Sequence, residues 1–536
     1  MLVRVGRWIA FVALFVAAPA AVVFSSACGS GGDVPDAAGD DDDDDDGGSP
    51  TPEPTPTPPE GDDDVFTVAP GSAAEVVYVA NPENDNVVRI DTVSREIDVI
   101  PVGRKPLDLR VSPAGERVVT FNSLSHDVSI IDAATMEETR LDVRPVTNQM
   151  ISSPLATHGV CIWSAARDAT GQVDGAQNPG EVSIVDFVSG TVVSSVMGFK
   201  PRGVGFTEDD TRAFVLSDGL LASIDLTSPS KPKTLIPLAA DPTTAPAAKE
   251  IAIAPDGTSA LVLSETGGSA LTLVDLGTSA LTTIAVGASS GTIATDLDLS
   301  ADGRFYLVAS AGILSSTLDV LDRDNAFAKT TVTIPGAAGS IEPSPDSEEI
   351  WVFSKNALDE RIWRIDLASD LGGPNPVLTE YALVKPVRAV FVAPNAAGVV
   401  ILHRFTDVSD GVPSGEGDYA NAHVMSVLDP DAGGGVALLS SVALDDAPDQ
   451  VAVTSDGAWA FAQLPATNVA LVASLTTLLV DPLPLGSKPL FVGTVQSGHT
   501  GFVLQKHPLG RISFLSPETL DIDTITGFEI NAEIHQ

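Results

Sequence analysis

The sequence predicts an all-β protein, a β-propeller of four-stranded antiparallel blades in about ten repeat units. Three observations predict it. A short apolar strand ending in Asp keeps returning: VVRID (87–91), VSIID (128–132), VSIVD (182–186), LASID (221–225), LTLVD (271–275), LDVLD (318–322), IWRID (362–366) and MSVLD (425–429). VALVA (469–473) and ISFLS (512–516) keep the strand and lose the Asp. These strands end 39 to 63 residues apart, the period of a propeller blade. Second, a Gly turn recurs as PAG (113–115), PDG (255–257), ADG (301–303) and SDG (455–457), where Gly supplies positive φ. Third, a basic residue before Pro recurs at Lys105, Arg144, Lys200, Lys385 and Lys488. Proline cannot donate to a ladder and so belongs where the chain crosses from one unit to the next.

In chain order, residues 1–27 read as a secretory signal. Arg4 and Arg7 precede an uncharged apolar run from Trp8 to Phe24, which ends in Ser25-Ser26-Ala27-Cys28. Small residues directly before a Cys, with Gly29 after it, resemble the lipobox of bacterial lipoproteins, although Ser25 stands where that family usually carries Leu. The resemblance implies that Cys28 is the acylated first residue of the mature chain. It places the protein in the bacterial cell envelope, periplasmic or at the cell surface, held to the membrane by a lipid anchor.

Residues 28–64 form a stalk. The Asp40–Asp46 run, the Pro-rich stretch 49–60 and Asp62–Asp64 carry high charge, no base and too little apolar surface to offset the entropy of ordering. Alternating Pro and Thr favour extended polyproline II, and the Asp run repels itself, so the tract is a spacer.

The body, 65–536, carries 58 acidic and 27 basic residues, a net charge of −31. Such a surface repels phosphate backbones and argues against nucleic acid as a partner. Short Val/Leu/Ile strands between Gly, Pro and Asp turns, without long helical periodicity, support one repeat array. Ten units allow a single large ring or two smaller rings. With Cys28 lipidated, Cys161 has no disulfide partner. In the apolar strand GVCIW (159–163) it reads as a small buried hydrophobe, and His158 is on the wrong periodicity to act as its base.

The unit 449–489 shows the pattern most plainly. Residues 450–453 alternate as a first strand, 459–463 return as the second, 469–473 form the third and 478–485 the fourth. Near the N-terminus VVYVAN (76–81), DNVVRID (85–91), IPVGRKP (100–106) and LRVSPAG (109–115) succeed one another. This succession resembles the YVTN-type repeat of bacterial and archaeal surface propellers, in outline across 75–529. That family commonly closes with seven or eight blades, so ten is a departure. WD40 repeats are disfavoured because no Gly-His…Trp-Asp pairing occurs.

Two constellations could carry chemistry. The first is basic: Lys105, Arg144, Lys200, Lys385 and Lys488 at equivalent crossings, with Arg104, Arg202 and Arg388 beside them. In a ring they would gather at a channel mouth and suit a small anionic ligand, a glycan or a protein partner. The second is acidic. Aligned first strands bring Asp108, Glu250 and Asp296 to one position, with Asp298 and Glu342 two residues later. Converging carboxylates could hold Ca²⁺ or another divalent cation, and a resemblance to metal-dependent propeller lactonases would make such a site hydrolytic.

Other matches fail in context. GASSG (287–291) fits G-x-S-x-G, but no helix follows, so Ser289 is not read as a nucleophile. Seven scattered His form no zinc or covalent-haem motif. The strand-ending aspartates are expected to accept backbone N–H bonds in the next turn. Gly/Asp-rich insertions at 167–179 and 405–420 are expected to project as loops. The functional expectation is a lipid-anchored binding scaffold with no cofactor; the alternative is the metal-dependent hydrolase.

Overall fold

The structure is a computed structural model. It describes residues 68–528 and 534–535, apart from 165–178, 240–247, 265–269, 288–292, 312–314, 337–338, 347–348, 355–358, 368–377, 395–397, 406–418, 420 and 433–436. Ten antiparallel sheets, each built from consecutive strands, make ten blades in one ring. The blades span 71–101, 106–142, 149–196, 203–237, 248–285, 293–335, 340–382, 387–444, 451–484 and 489–535. Nine have four strands, and blade 10 gains a short fifth, Ile534–His535.

All ten repeated motifs are third strands, from Asn86–Asp91 in blade 1 to Arg511–Ser516 in blade 10. Second and third strands are buried on both faces, as in Arg117–Asn122 and Asp127–Asp132, which is why they read as unbroken apolar runs. Outer strands such as Thr191–Val196 have no buried residue. First strands of successive blades lie side by side, which places them around the central channel. Unit 449–489 holds Val451–Val453, Trp459–Leu464, Val469–Ser474 and Val480–Pro484, close to the strands the sequence predicts.

Two turn chemistries shape each blade. Gly115, Gly257, Gly303 and Gly457, at φ between 66° and 72°, close the first hairpins. The aspartates ending the third strands fold the following turn: Asp91 Oδ1 accepts the N–H groups of Val93 and Ser94 at 2.9 and 2.8 Å. Asp132, Asp186 and Asp275 each accept the same pair of bonds two and three residues on. Where blade 9 lacks the Asp, Ser474 Oγ takes the N–H of Thr477 at 3.1 Å.

Every pair of neighbouring blades shares its own apolar cluster. Blade 10 meets blade 1 in the same way, through Val77, Val79, Val88 and Ile90 against Phe502, Phe514, Ile525 and Phe528. Among the described residues no strand is exchanged across this seam. Packing closes it, together with Ser72 Oγ donating to Thr494 O at 3.0 Å and an Arg95–Asp523 ion pair at 2.5 Å. The ring is therefore single, and the two-ring alternative is excluded. Among the described residues no helix is long and apolar enough to cross a membrane. The signal, Cys28 and the stalk lie outside the described residues.

Candidate functional site

Strand order gives the disc two unlike faces. One, the crossing face, carries the passages from outer strand to next first strand and the loops between second and third strands. The other carries the first hairpins and the turns capped by aspartate.

The basic residues singled out by sequence all fall at or beside crossings, but they do different work. Lys105, Lys200 and Lys488 are exposed and form no ion pair among the described residues. Lys105 and Lys200 take left-handed backbone, φ 57° and 52°. The Lys105 N–H donates to Asp85 Oδ1 at 2.8 Å, pinning its crossing to blade 1. Lys200 Nζ lies 5.3 Å over the ring of Phe199, which is 60% exposed. Arg104 reaches the carbonyl of Leu124, another exposed apolar residue of this face, at 3.3 Å.

The other four cations are committed within the protein. Arg144 pairs with Glu181 at 2.5 Å and Arg202 with Asp218. Arg388 is bonded to the carbonyl of Pro448 in the crossing to the next blade, and burial pushes its pKa down. Lys385 is completely buried. Its Nζ donates to the carbonyls of Tyr419 and Ala422 at 2.9 and 2.7 Å and lies 5.6 Å over Phe405. Lys385 thus fastens both ends of the 405–420 insertion. Most of that insertion, most of the 167–179 insertion and Ser289 lie outside the described residues.

The carboxylates do share a register. Asp108, Glu250 and Asp296 each follow a shift in pairing and stand opposite Phe121, Leu263 and Ala309, one equivalent position. Asp298 and Glu342 stand opposite Leu307 and Trp351. Their bonding is between blades and within strands. Asp108 Oδ2 accepts the Met150 N–H of blade 3 at 2.8 Å, and Asp296 Oδ2 the Ile341 N–H of blade 7 at 3.0 Å. Gln450 does the same for Val492 at 3.2 Å. Asp298 Oδ1 takes its neighbour's N–H, that of Leu299, at 2.7 Å. Glu250 and Glu342 are half-buried. Among the described residues no three His, Cys, Asp or Glu side chains gather into a metal-holding group.

Cys161 is fully buried against blade 2, beside Val119 and Phe121, and burial pushes its thiol pKa far up. His158 is bonded instead to Lys231 of blade 4, so the two residues serve opposite interfaces. Sequence reasoning missed this buried His158–Lys231–Asp186 group. It also missed an exposed one, in which His499 Nε2 meets Asp456 at 2.6 Å and Nδ1 meets Glu518. Each joins residues from two blades, 19 to 73 positions apart in sequence, so no local spacing could reveal it.

No protein-family model matches the chain, and no curated protein matches it. Among solved structures it is similar to dihydro-heme d1 dehydrogenase NirN in complex with DHE, at 18% identity over 69% of this chain and 73% of that one, TM-score 0.42. It is also similar to a eukaryotic initiation factor, at 11% identity over 77% and 97% of the two chains, TM-score 0.49. Kuenenia stuttgartiensis hydrazine synthase matches at 14% identity over 80% and 99%, TM-score 0.33. At these TM-scores the likeness carries no argument about what the chain binds.

Proposed function

We propose that the protein is a lipid-anchored, extracytoplasmic propeller of YVTN-type repeats that works as a binding scaffold, with its crossing face as the docking face. The observation that carries the reading is the group of exposed lysines, Lys105, Lys200 and Lys488, free of ion pairs among the described residues of a strongly acidic body. Beside them the rigid crossings present apolar side chains to solvent, Phe199 at 60% and Leu124 at 57% exposure. Cations next to apolar surface suit a partner that is anionic and partly apolar: a protein segment, a glycan or a small molecule. The use of Asp108 and Asp296 as ties between blades supports binding over the metal-dependent hydrolase.

Two experiments test it. Polyglutamate and alginate serve as anionic probes for the Lys105→Glu/Lys200→Glu/Lys488→Glu variant. The reading expects salt-sensitive binding to the wild-type chain and at least about tenfold weaker binding to the variant. Equal binding by both chains overturns the docking face. For the anchor, Cys28→Ser should lose fatty-acid labelling and leave the membrane fraction, and retention of both overturns it.

A further inference from the structure

His158 begins the second strand of blade 3, His158–Ile162, and is 9% exposed. Its Nε2 lies 3.0 Å from the Nζ of Lys231, which is 4% exposed in a turn of blade 4. The same Nζ donates to Asp186 Oδ2 at 3.0 Å and to the Leu226 carbonyl at 2.6 Å. An ammonium can only donate, so Nε2 of His158 must accept. The ring proton then sits on Nδ1 and points to Thr157 Oγ1 at 2.9 Å. That hydroxyl donates onward to Asp210 Oδ2 of blade 4 at 2.7 Å. Asp210 is itself buried and also accepts the Ser153 hydroxyl at 2.5 Å. From blade 2, Arg110 is the cation facing Asp210, and Arg117 donates to the Ala156 carbonyl at 3.3 Å.

One neutral tautomer satisfies this whole chain of bonds. A proton added at Nε2 would break the Lys231 bond and set two cations against each other at 3.0 Å. Asp186, 3.4 Å from Nε2, offsets that repulsion only in part because it already serves Lys231. In keeping with this, burial and then the Lys231 charge push the His158 pKa below the usual imidazole value. Asp186 stays ionised down to about pH 2, its hydrogen bonds and Lys231 outweighing the opposing effect of burial.

We propose that His158 is an acid-responsive latch between blades 3 and 4: neutral, it holds the junction shut, and its protonation releases it. The sign follows from linkage. The closed junction disfavours the second proton, so its stability is complete above about pH 6.5 and falls as pH drops below that value. Opening should rise by up to roughly tenfold per pH unit. The latch does not depend on the docking reading above.

The experiment uses the full-length chain with Cys28→Ser and Ala213→Cys. Ala213 is fully buried in the cluster between blades 3 and 4, whereas Cys161 is fully buried between blades 2 and 3. Both thiols are labelled with 4,4′-dithiodipyridine, which reacts in acid, and the modified peptides are resolved by mass. Between pH 7.5 and 5 the Ala213→Cys thiol should label at least about tenfold faster while Cys161 stays protected. Adding His158→Gln should remove that pH dependence. Adding Lys231→Gln should remove it independently, because a protonated His158 can then pair with Asp186. Ala222→Cys, in the same cluster, repeats the measurement if Ala213→Cys misfolds. A flat profile, equal acceleration at Cys161, or an acid response that persists in both added variants overturns the latch.

Discussion

Asp108 of blade 2 accepts the backbone N–H of Met150 in blade 3 at 2.8 Å, so a carboxylate facing the channel ties one blade to the next. Met150 lies on a first strand, whose inner edge has no further strand to pair with. Asp296 with Ile341, and Gln450 with Val492, repeat the tie at the equivalent position. Asp108→Ala leaves that N–H unpaired and should cost about 1–3 kcal/mol, with Asp108→Asn costing less because an acceptor remains. Denaturant unfolding of the three chains checks this, and no difference among them would remove the structural role.

The same logic separates Lys385 from the exposed lysines of the other crossings. Lys385→Met deletes a buried charge and strands two carbonyls, those of Tyr419 and Ala422. It should cost about 3 kcal/mol. Lys105→Met, at an exposed position, should stay within about 0.5 kcal/mol. Thermal unfolding of both variants distinguishes a fastener from a docking cation, and equal effects would refute the distinction.

His499 should show a pH dependence opposite to that of His158. Hydrogen bonds that the His499 ring donates to Glu518 and then Asp456, with the charges of those carboxylates, hold its pKa above the ordinary value against a modest burial effect. Its contribution to the blade 9–blade 10 contact is therefore complete below about pH 6.5 and is lost as pH rises through the raised value. The group is substantially exposed, so the effect is small and should shrink in salt. Stability measured from pH 6 to 9 should fall less steeply in His499→Gln than in wild type. Identical slopes would show that this contact does not titrate with folding.

Blade count and strand order were legible because one-dimensional signals fix them: the strand ending in Asp, the Gly turn and the basic residue before Pro. Alignment alone also placed Asp108, Glu250 and Asp296 at one position. What alignment could not supply was direction. A carboxylate on a first strand looks the same whether it aims at a cation or at the neighbouring blade's N–H, and here Asp108 and Asp296 accept the N–H groups of Met150 and Ile341. Lys385 and Lys105 likewise share a motif, and only the stem of the 405–420 insertion, which covers Lys385, tells them apart. The His158–Lys231 contact spans 73 residues and depends on blade packing, which no repeat period encodes.

The seam between blades 10 and 1 gives the last prediction. Every blade is contiguous in sequence, so closure depends on side-chain packing at an interface with no covalent link across it. Phe528 is fully buried there, against residues of both blades, and Arg95 spans the seam by lying 4.3 Å over Phe514 while pairing with Asp523. Phe461 fills the comparable cluster between blades 9 and 10, whose blades are joined by the chain. Phe→Ala at either site removes similar apolar volume and should cost about 3–5 kcal/mol. Only Phe528→Ala weakens an interface whose two sides can then part. It should enlarge the radius of gyration under mild denaturant before secondary structure is lost, whereas Phe461→Ala should lose both together. Small-angle scattering and circular dichroism, followed in parallel, decide the point; coincident transitions in both variants would mean that the seam is as strong as a linked junction.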